Sequence, residues 1–147
     1  METDKKLTYS HKGLENISIV GDLMLSLDKE AKPSEEITLH TIKGDVFSDA
    51  SPVLLLGDSH ALVFSSGGDM LAEKSGLGEN LAAALAMPVE RIAVKGSAAA
   101  AVRTNLYRKA AKDVEWIKGK KIVIWCFSAR EFTESTSGWP KVPVLKK

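Results

Sequence analysis

The residues with the widest chemical reach in this sequence form one short run, Gly57-Asp58-Ser59-His60, directly after the apolar stretch Pro52-Val53-Leu54-Leu55-Leu56. A serine hydroxyl is a weak nucleophile that becomes useful when a base takes its proton and backbone N–H groups face the developing oxyanion. A serine at a strand-to-helix turn has an exposed hydroxyl and the unpaired N–H groups of the following helix beside it, so Ser59 is a candidate for acyl transfer. The same residues suit a purely structural task, because Asp and Ser are preferred helix N-caps. Nucleophile and cap both stay open on these residues alone.

The required base is harder to find. The histidines are His11, His40 and His60, and none follows His60. His60 adjoins the serine, and adjacent side chains at such a turn usually diverge. His40 belongs to an alternating run from Glu36 to Ile42 that reads as a short edge strand. It is a candidate base recruited from that strand, with an exposed surface histidine as the competing reading. No HxH or HExxH spacing occurs, and a single cysteine, Cys126, excludes an internal disulfide and a thiolate cluster, so neither a metal nor another cofactor is expected. Cys126 itself reads as a small buried apolar residue. Gly57 begins no P-loop, because GK[ST] is missing, which disfavours phosphate handling.

The elements that must position these groups are an α/β set. Pro52 to Leu56 is continuously apolar and ends in Gly57, as a strand covered on both faces should read. Val89 to Val94 and Lys121 to Phe127 behave alike. Helices are predicted from Gly78 to Met87, closed by Pro88, and from Ala98 to Lys118. In the latter, Val102, Leu106 and Ala110 share one face while Arg103, Lys109 and Lys112 meet solvent. This order predicts a parallel sheet with right-handed crossovers. Ligands of open α/β sheets bind outside the carboxyl ends of the strands. Gly57 to His60, Lys95-Gly96-Ser97 and Ser128 to Glu131 should therefore line one crevice. The tail Gly138 to Pro143 reads as extended because of its prolines.

The chain of 147 residues, 44% hydrophobic, suits one domain, with residues 1–50 peripheral and 51–147 forming the core. Its formal net charge of +1 gives no strong attraction to nucleic acid or anionic lipid. No apolar run approaches the roughly 20 residues of a membrane span, and the start Met1 to Lys6 lacks the features of a secretory signal.

Val53-Leu54-Leu55-Leu56-Gly57-Asp58-Ser59 resembles the first block of SGNH (GDSL-type) hydrolases. From Gly21 onward the chain is similar to the C-terminal part of the alginate O-acetyltransferase group of that superfamily. Gly21-Asp22-Leu23, Ala50-Ser51-Pro52, Val94-Lys95-Gly96, Val102 to Leu106, Val123-Ile124-Trp125 and Ala129 to Phe132 carry that likeness in order. The resemblance implies a three-layer SGNH/flavodoxin-like fold whose central, mostly parallel sheet is flanked by helices. It implies an enzyme of the bacterial periplasm or cell envelope that moves acetyl groups to or from polysaccharide hydroxyls through an acetyl-serine. Its partners would be a polysaccharide and an acetyl donor, with other acetylation or polymer-export proteins beside it.

In that reading Ser59 is the nucleophile, and its own N–H with that of Gly96 forms the oxyanion hole. Glycine at the second place would let backbone approach the ligand. Arg130 would orient substrate by bidentate recognition. Arg103 is a second candidate, against the reading of an ordinary exposed helix arginine. Trp139 is the candidate for stacking on a sugar ring, whereas Trp125 within its strand reads as core.

Two departures qualify the likeness. The glycine and asparagine usual after the third strand are replaced by Phe127-Ser128-Ala129-Arg130, and no Asp-x-His motif lies upstream of Ser59. The expectation that follows is a chain lacking an N-terminal portion of its domain. The competing function is a non-catalytic polysaccharide-binding or scaffold domain that kept the fold.

Overall fold

The computed structural model describes residues 11–21, 33–96, 99–133 and 138–144. Ser97 and all of the Gly21 to Leu27 stretch beyond Gly21 lie outside them.

The apolar run after Ser51 becomes β3 (Val53–Gly57), buried at every position. Its burial follows from its place in a three-stranded parallel sheet, between β4 (Glu90–Ala93) on one side and β5 (Ile122–Cys126) on the other. Leu55 stands opposite Arg91 in one ladder and Ile124 in the other. Side chains alternate across the sheet. Val53 packs in one cluster with Ile42, Val46, Ala82 and Val89, and Leu54 and Leu56 pack in another with Val102 and Leu106. Removing each of these larger side chains from water contributes about 1.5–3 kcal/mol before chain entropy is charged against it.

Helices therefore cover both faces. α1 (Leu77–Leu85) supplies Ala82 to the first cluster and ends at Ala86, whose φ of 52° turns the chain out ahead of Pro88. α2 (Ala99–Lys112) buries Val102, Leu106 and Ala110 against the second. The single helix predicted to run on to Lys118 is broken at Asp113. There the carboxylate accepts the Trp116 N–H at 2.9 Å and caps a new helix, α3 (Val114–Lys118). A short acid that satisfies the next turn's N–H competes with continued helix.

The first 50 residues hold more order than their sequence suggests. β1 (His11–Ile19), which the alternation did not reveal, pairs antiparallel with β2 (Glu35–Ile42) in a separate ribbon. Ile42 and Val46, only 1% and 5% exposed, enter the core, so the end of this segment is not peripheral. A final short helix, α4 (Arg130–Thr133), follows β5. Among the described residues no helix is long and apolar enough to cross a membrane.

Candidate active site

The site lies where the chain leaves β3. Parallel pairing puts the carboxyl ends of β3, β4 and β5 on one side of the sheet. β3 leads through α1 to one neighbour, and β4 leads through α2 and α3 to the other, with these helices on opposite faces. That reversal is the arrangement that opens a crevice at strand ends. Backbone and side-chain bonds tie the three exits together. Val94 N–H donates to the Gly57 carbonyl at 3.1 Å, Ser128 N–H donates to Asp58 Oδ2 at 3.0 Å, and Ala99 N–H donates to Glu131 Oε1 at 3.1 Å.

Gly57 has a steric reason to be glycine. A Cβ there would overlap the Ala61 methyl, because the 3-10 turn Ser59–Ala61 folds directly back on the strand end. Asp58 caps that turn, its Oδ1 accepting the His60 N–H at 2.9 Å. Burial alone would raise the Asp58 pKa. The N–H groups of His60 and Ser128, with the His60 ring, outweigh it and hold the carboxyl below its ordinary value.

This settles the division of labour between the two capping candidates: Asp58 is the cap. The Ser59 hydroxyl is left without a hydrogen-bond partner among the described residues, and so is the Ser59 N–H. Ser59 is half-buried at the turn.

The bases stand apart from it. His60 is 58% exposed and turns Nδ1 to Asp58 Oδ1 at 3.0 Å. Since an ionised carboxylate only accepts, Nδ1 is the donor in that contact. His40 is an exposed residue of β2, opposite Leu14 in the ribbon. Neither is hydrogen-bonded to the Ser59 hydroxyl.

Gly96 follows β4 in an exposed, left-handed conformation with φ of 69°. Its glycine is explained by that angle and not by crowding, for a Cβ there would meet nothing within 4 Å. Its N–H has no partner among the described residues, leaving it available as a donor. Arg130 opens α4 at the β5 exit, exposed and without an ion-pair partner among the described residues.

Arg103 and Trp139 belong to a different setting from the one their sequence positions suggest. Arg103 is not an exposed helix arginine. It is half-buried, donates from Nη2 to the Pro140 carbonyl at 2.7 Å, and lies 5.8 Å from the Trp139 ring. Trp139 in turn meets Trp125, Phe127 and Phe132 at centroid distances of 5.4, 5.7 and 5.7 Å, and its Nε1 donates to the Glu131 carbonyl at 3.3 Å. Together they fasten residues 138–144 over β5. Cys126, partly buried in that strand, carries a free thiol.

Sequence reading marked Asp58 as a capping candidate and overlooked it as the clasp between β3 and β5, because the Ser128 N–H it accepts lies 70 residues away. Glu131, which reaches the first turn of α2, left no such local trace. Among the described residues, no group of three or more His, Cys, Asp or Glu side chains is gathered as a metal would require. Compared with protein-family models, curated proteins and solved structures, the chain has no match.

Proposed function

We propose that this chain is an SGNH-type O-acetyl-transfer domain, of the three-layer, flavodoxin-like kind, acting on polysaccharide hydroxyls of the bacterial cell envelope through an acetyl-serine at Ser59. One observation carries the reading. Asp58 performs the capping, so the neighbouring Ser59 hydroxyl is spared at the exit of β3, beside its own N–H, which is unpaired among the described residues. The acceptor and the compartment come from the sequence resemblance alone.

In the proposed reaction Ser59 Oγ attacks the carbonyl carbon of an acetyl donor, and the hydroxyl proton leaves for a base. The oxyanion accepts from the Ser59 and Gly96 N–H groups, and the donor's oxygen departs with a proton as acetyl-Ser59 forms. A sugar hydroxyl, or water, then attacks the acetyl carbon and restores Ser59. Removing one oxyanion donor typically costs about 10²–10³ in kcat. Arg130, exposed at the same strand end, would steer an anionic or polar substrate.

A second reading has its own support. The histidine beside Ser59, His60, turns its ring to Asp58 instead, which suits a non-catalytic polysaccharide-binding or scaffold domain. A chromogenic acetyl ester separates the two. Mass spectrometry should find an acetyl group on Ser59 and none on Ser59→Ala. Absence of any adduct on the folded protein, combined with glycan affinity that depends on Arg130 and not on Ser59, would replace the first reading with the second.

A further inference from the structure

Residues 138–144 lie over β5 on an aromatic surface. The Trp139 ring meets those of Trp125, Phe127 and Phe132, and Val144 packs, as Trp125 does, against the cluster of Leu54, Leu56, Val102 and Leu106. Trp139, Val142 and Val144 are half-buried, whereas Pro140, Lys141 and Pro143 are exposed. The prolines are therefore not what fills the surface. They hold the backbone extended, which lowers the ordering cost of laying it there. Residues 139–144 make no backbone-to-backbone hydrogen bond among the described residues, so the ring contacts and the Arg103 bond to the Pro140 carbonyl keep the segment down.

The segment fits this surface imperfectly. Arg103 donates Nη2 to the Pro140 carbonyl at 2.7 Å, yet its Nη1 is buried without a partner, and so is Nε1 of Trp125, whose ring lies 5.4 Å from that of Trp139. Buried donors without acceptors oppose closure, because water satisfies both once the segment lifts. The bond from Trp139 Nε1 to the Glu131 carbonyl is long at 3.3 Å. Phe132, in contact with both Phe127 and Trp139, remains 72% exposed, so apolar surface is left over beside the segment.

These shortfalls point to a ligand class. The two unpaired groups only donate, so what they lack is an acceptor. Arg103 already holds one peptide carbonyl and the rings already hold a tryptophan, which shows the chemistry that the surface accepts. An extended peptide offers carbonyls in series and side chains to cover Phe132. We infer that Trp125, Phe127, Phe132 and Arg103 form a recognition groove for an extended, proline-stiffened segment of another protein that presents a tryptophan, and that residues 138–144 occupy this groove in cis and lift before the partner binds. The groove uses no property of Ser59 and stands apart from the acyl-transfer reading.

Titration of the isotope-labelled full chain with an unlabelled peptide of the sequence of residues 138–144, followed by NMR, tests this. In wild type the Trp139 indole N–H signal should move toward its solvent-exposed position as the peptide displaces the segment. Trp139→Ala, shown to be folded by the same spectra, opens the groove. It should bind the peptide saturably and about tenfold more tightly than wild type, the factor lost by a site about nine-tenths closed. A peptide with alanine in place of its tryptophan should not bind. Adding Phe132→Ala, at an exposed side chain, should weaken binding several-fold. The inference is overturned if the peptide fails to bind the folded variant, if it binds variant and wild type equally, or if a neutral glucose oligosaccharide binds there in its place. A wild-type dimer that Trp139→Ala abolishes overturns it too, since the segment would then belong in a second copy. Should the variant not fold, an unmoved indole signal in wild type overturns it alone.

Discussion

Ser128 donates its backbone N–H to Asp58 Oδ2 at 3.0 Å, across 70 residues of sequence, while Asp58 Oδ1 holds the His60 N–H at 2.9 Å. One carboxylate thus starts the turn that carries Ser59 and binds the exit of β3 to the exit of β5. The geometry of the candidate nucleophile depends on that double acceptance.

Asp58→Asn should therefore destabilise the fold. An amide offers one acceptor oxygen and sets its NH2 against the second N–H donor, for a loss of about 1–3 kcal/mol. The Asp58 pKa is lowered in the folded state from 3.8, so its contribution is complete above that unfolded value and is lost as pH falls through the folded one. Urea unfolding at neutral pH and at about pH 3 should show the gap between wild type and variant shrinking on the acid side. A gap that widened with acid would contradict the linkage.

Ser59→Ala is expected to leave stability within about 0.5 kcal/mol of wild type, because the hydroxyl has no partner to lose. Thermal unfolding measures this directly. A loss of 2 kcal/mol or so would mean the hydroxyl holds the turn together, and its availability for chemistry would be in question.

Gly57→Ala should cost about 1–3 kcal/mol, since the new methyl overlaps that of Ala61. The double variant Gly57→Ala with Ala61→Gly relieves the overlap. It should recover part of the loss, apart from the roughly 0.5–1 kcal/mol that glycine costs within helical backbone. Strict additivity of the two single changes would show that the contact is not the cause.

A fourth prediction of stability concerns the amino end of the sheet. Glu90, 2% exposed, accepts from Lys109 Nζ and Lys120 Nζ at 2.5 Å each and from Trp116 Nε1 at 2.8 Å. Lys120 is buried as well, with the carbonyls of Asp49 and Ser51 as its other acceptors. Glu90→Ala strands that ammonium and should cost about 3–5 kcal/mol, measured by denaturant unfolding. Lys109→Met, at a side chain one-third exposed, should cost far less. Equal losses from the two would show that burial does not govern the network.

Much of the scaffold was legible locally. Val53 to Leu56 read as a strand covered on both faces because no polar residue interrupts it, and Pro88 marked the region where α1 ends because it cannot continue a helix. β1 was not legible, since Gly13 and Asn16 break its pattern and its partner strand begins only at Glu35, well outside any local window. The break at Asp113 was visible in principle, but helix propensity on both sides masked it.

The sequence by itself determined an α/β chain with a glycine-ended central strand and a serine at its exit, because hydrophobic run length and turn residues act over a few neighbours. Only the tertiary structure decided that Asp58 rather than Ser59 is the cap, and that Arg103 and Trp139 fasten the tail. Asp58 is held in place by the Ser128 N–H, 70 residues on, and Arg103 meets the Pro140 carbonyl, 37 residues on, so no short window of sequence contains both partners.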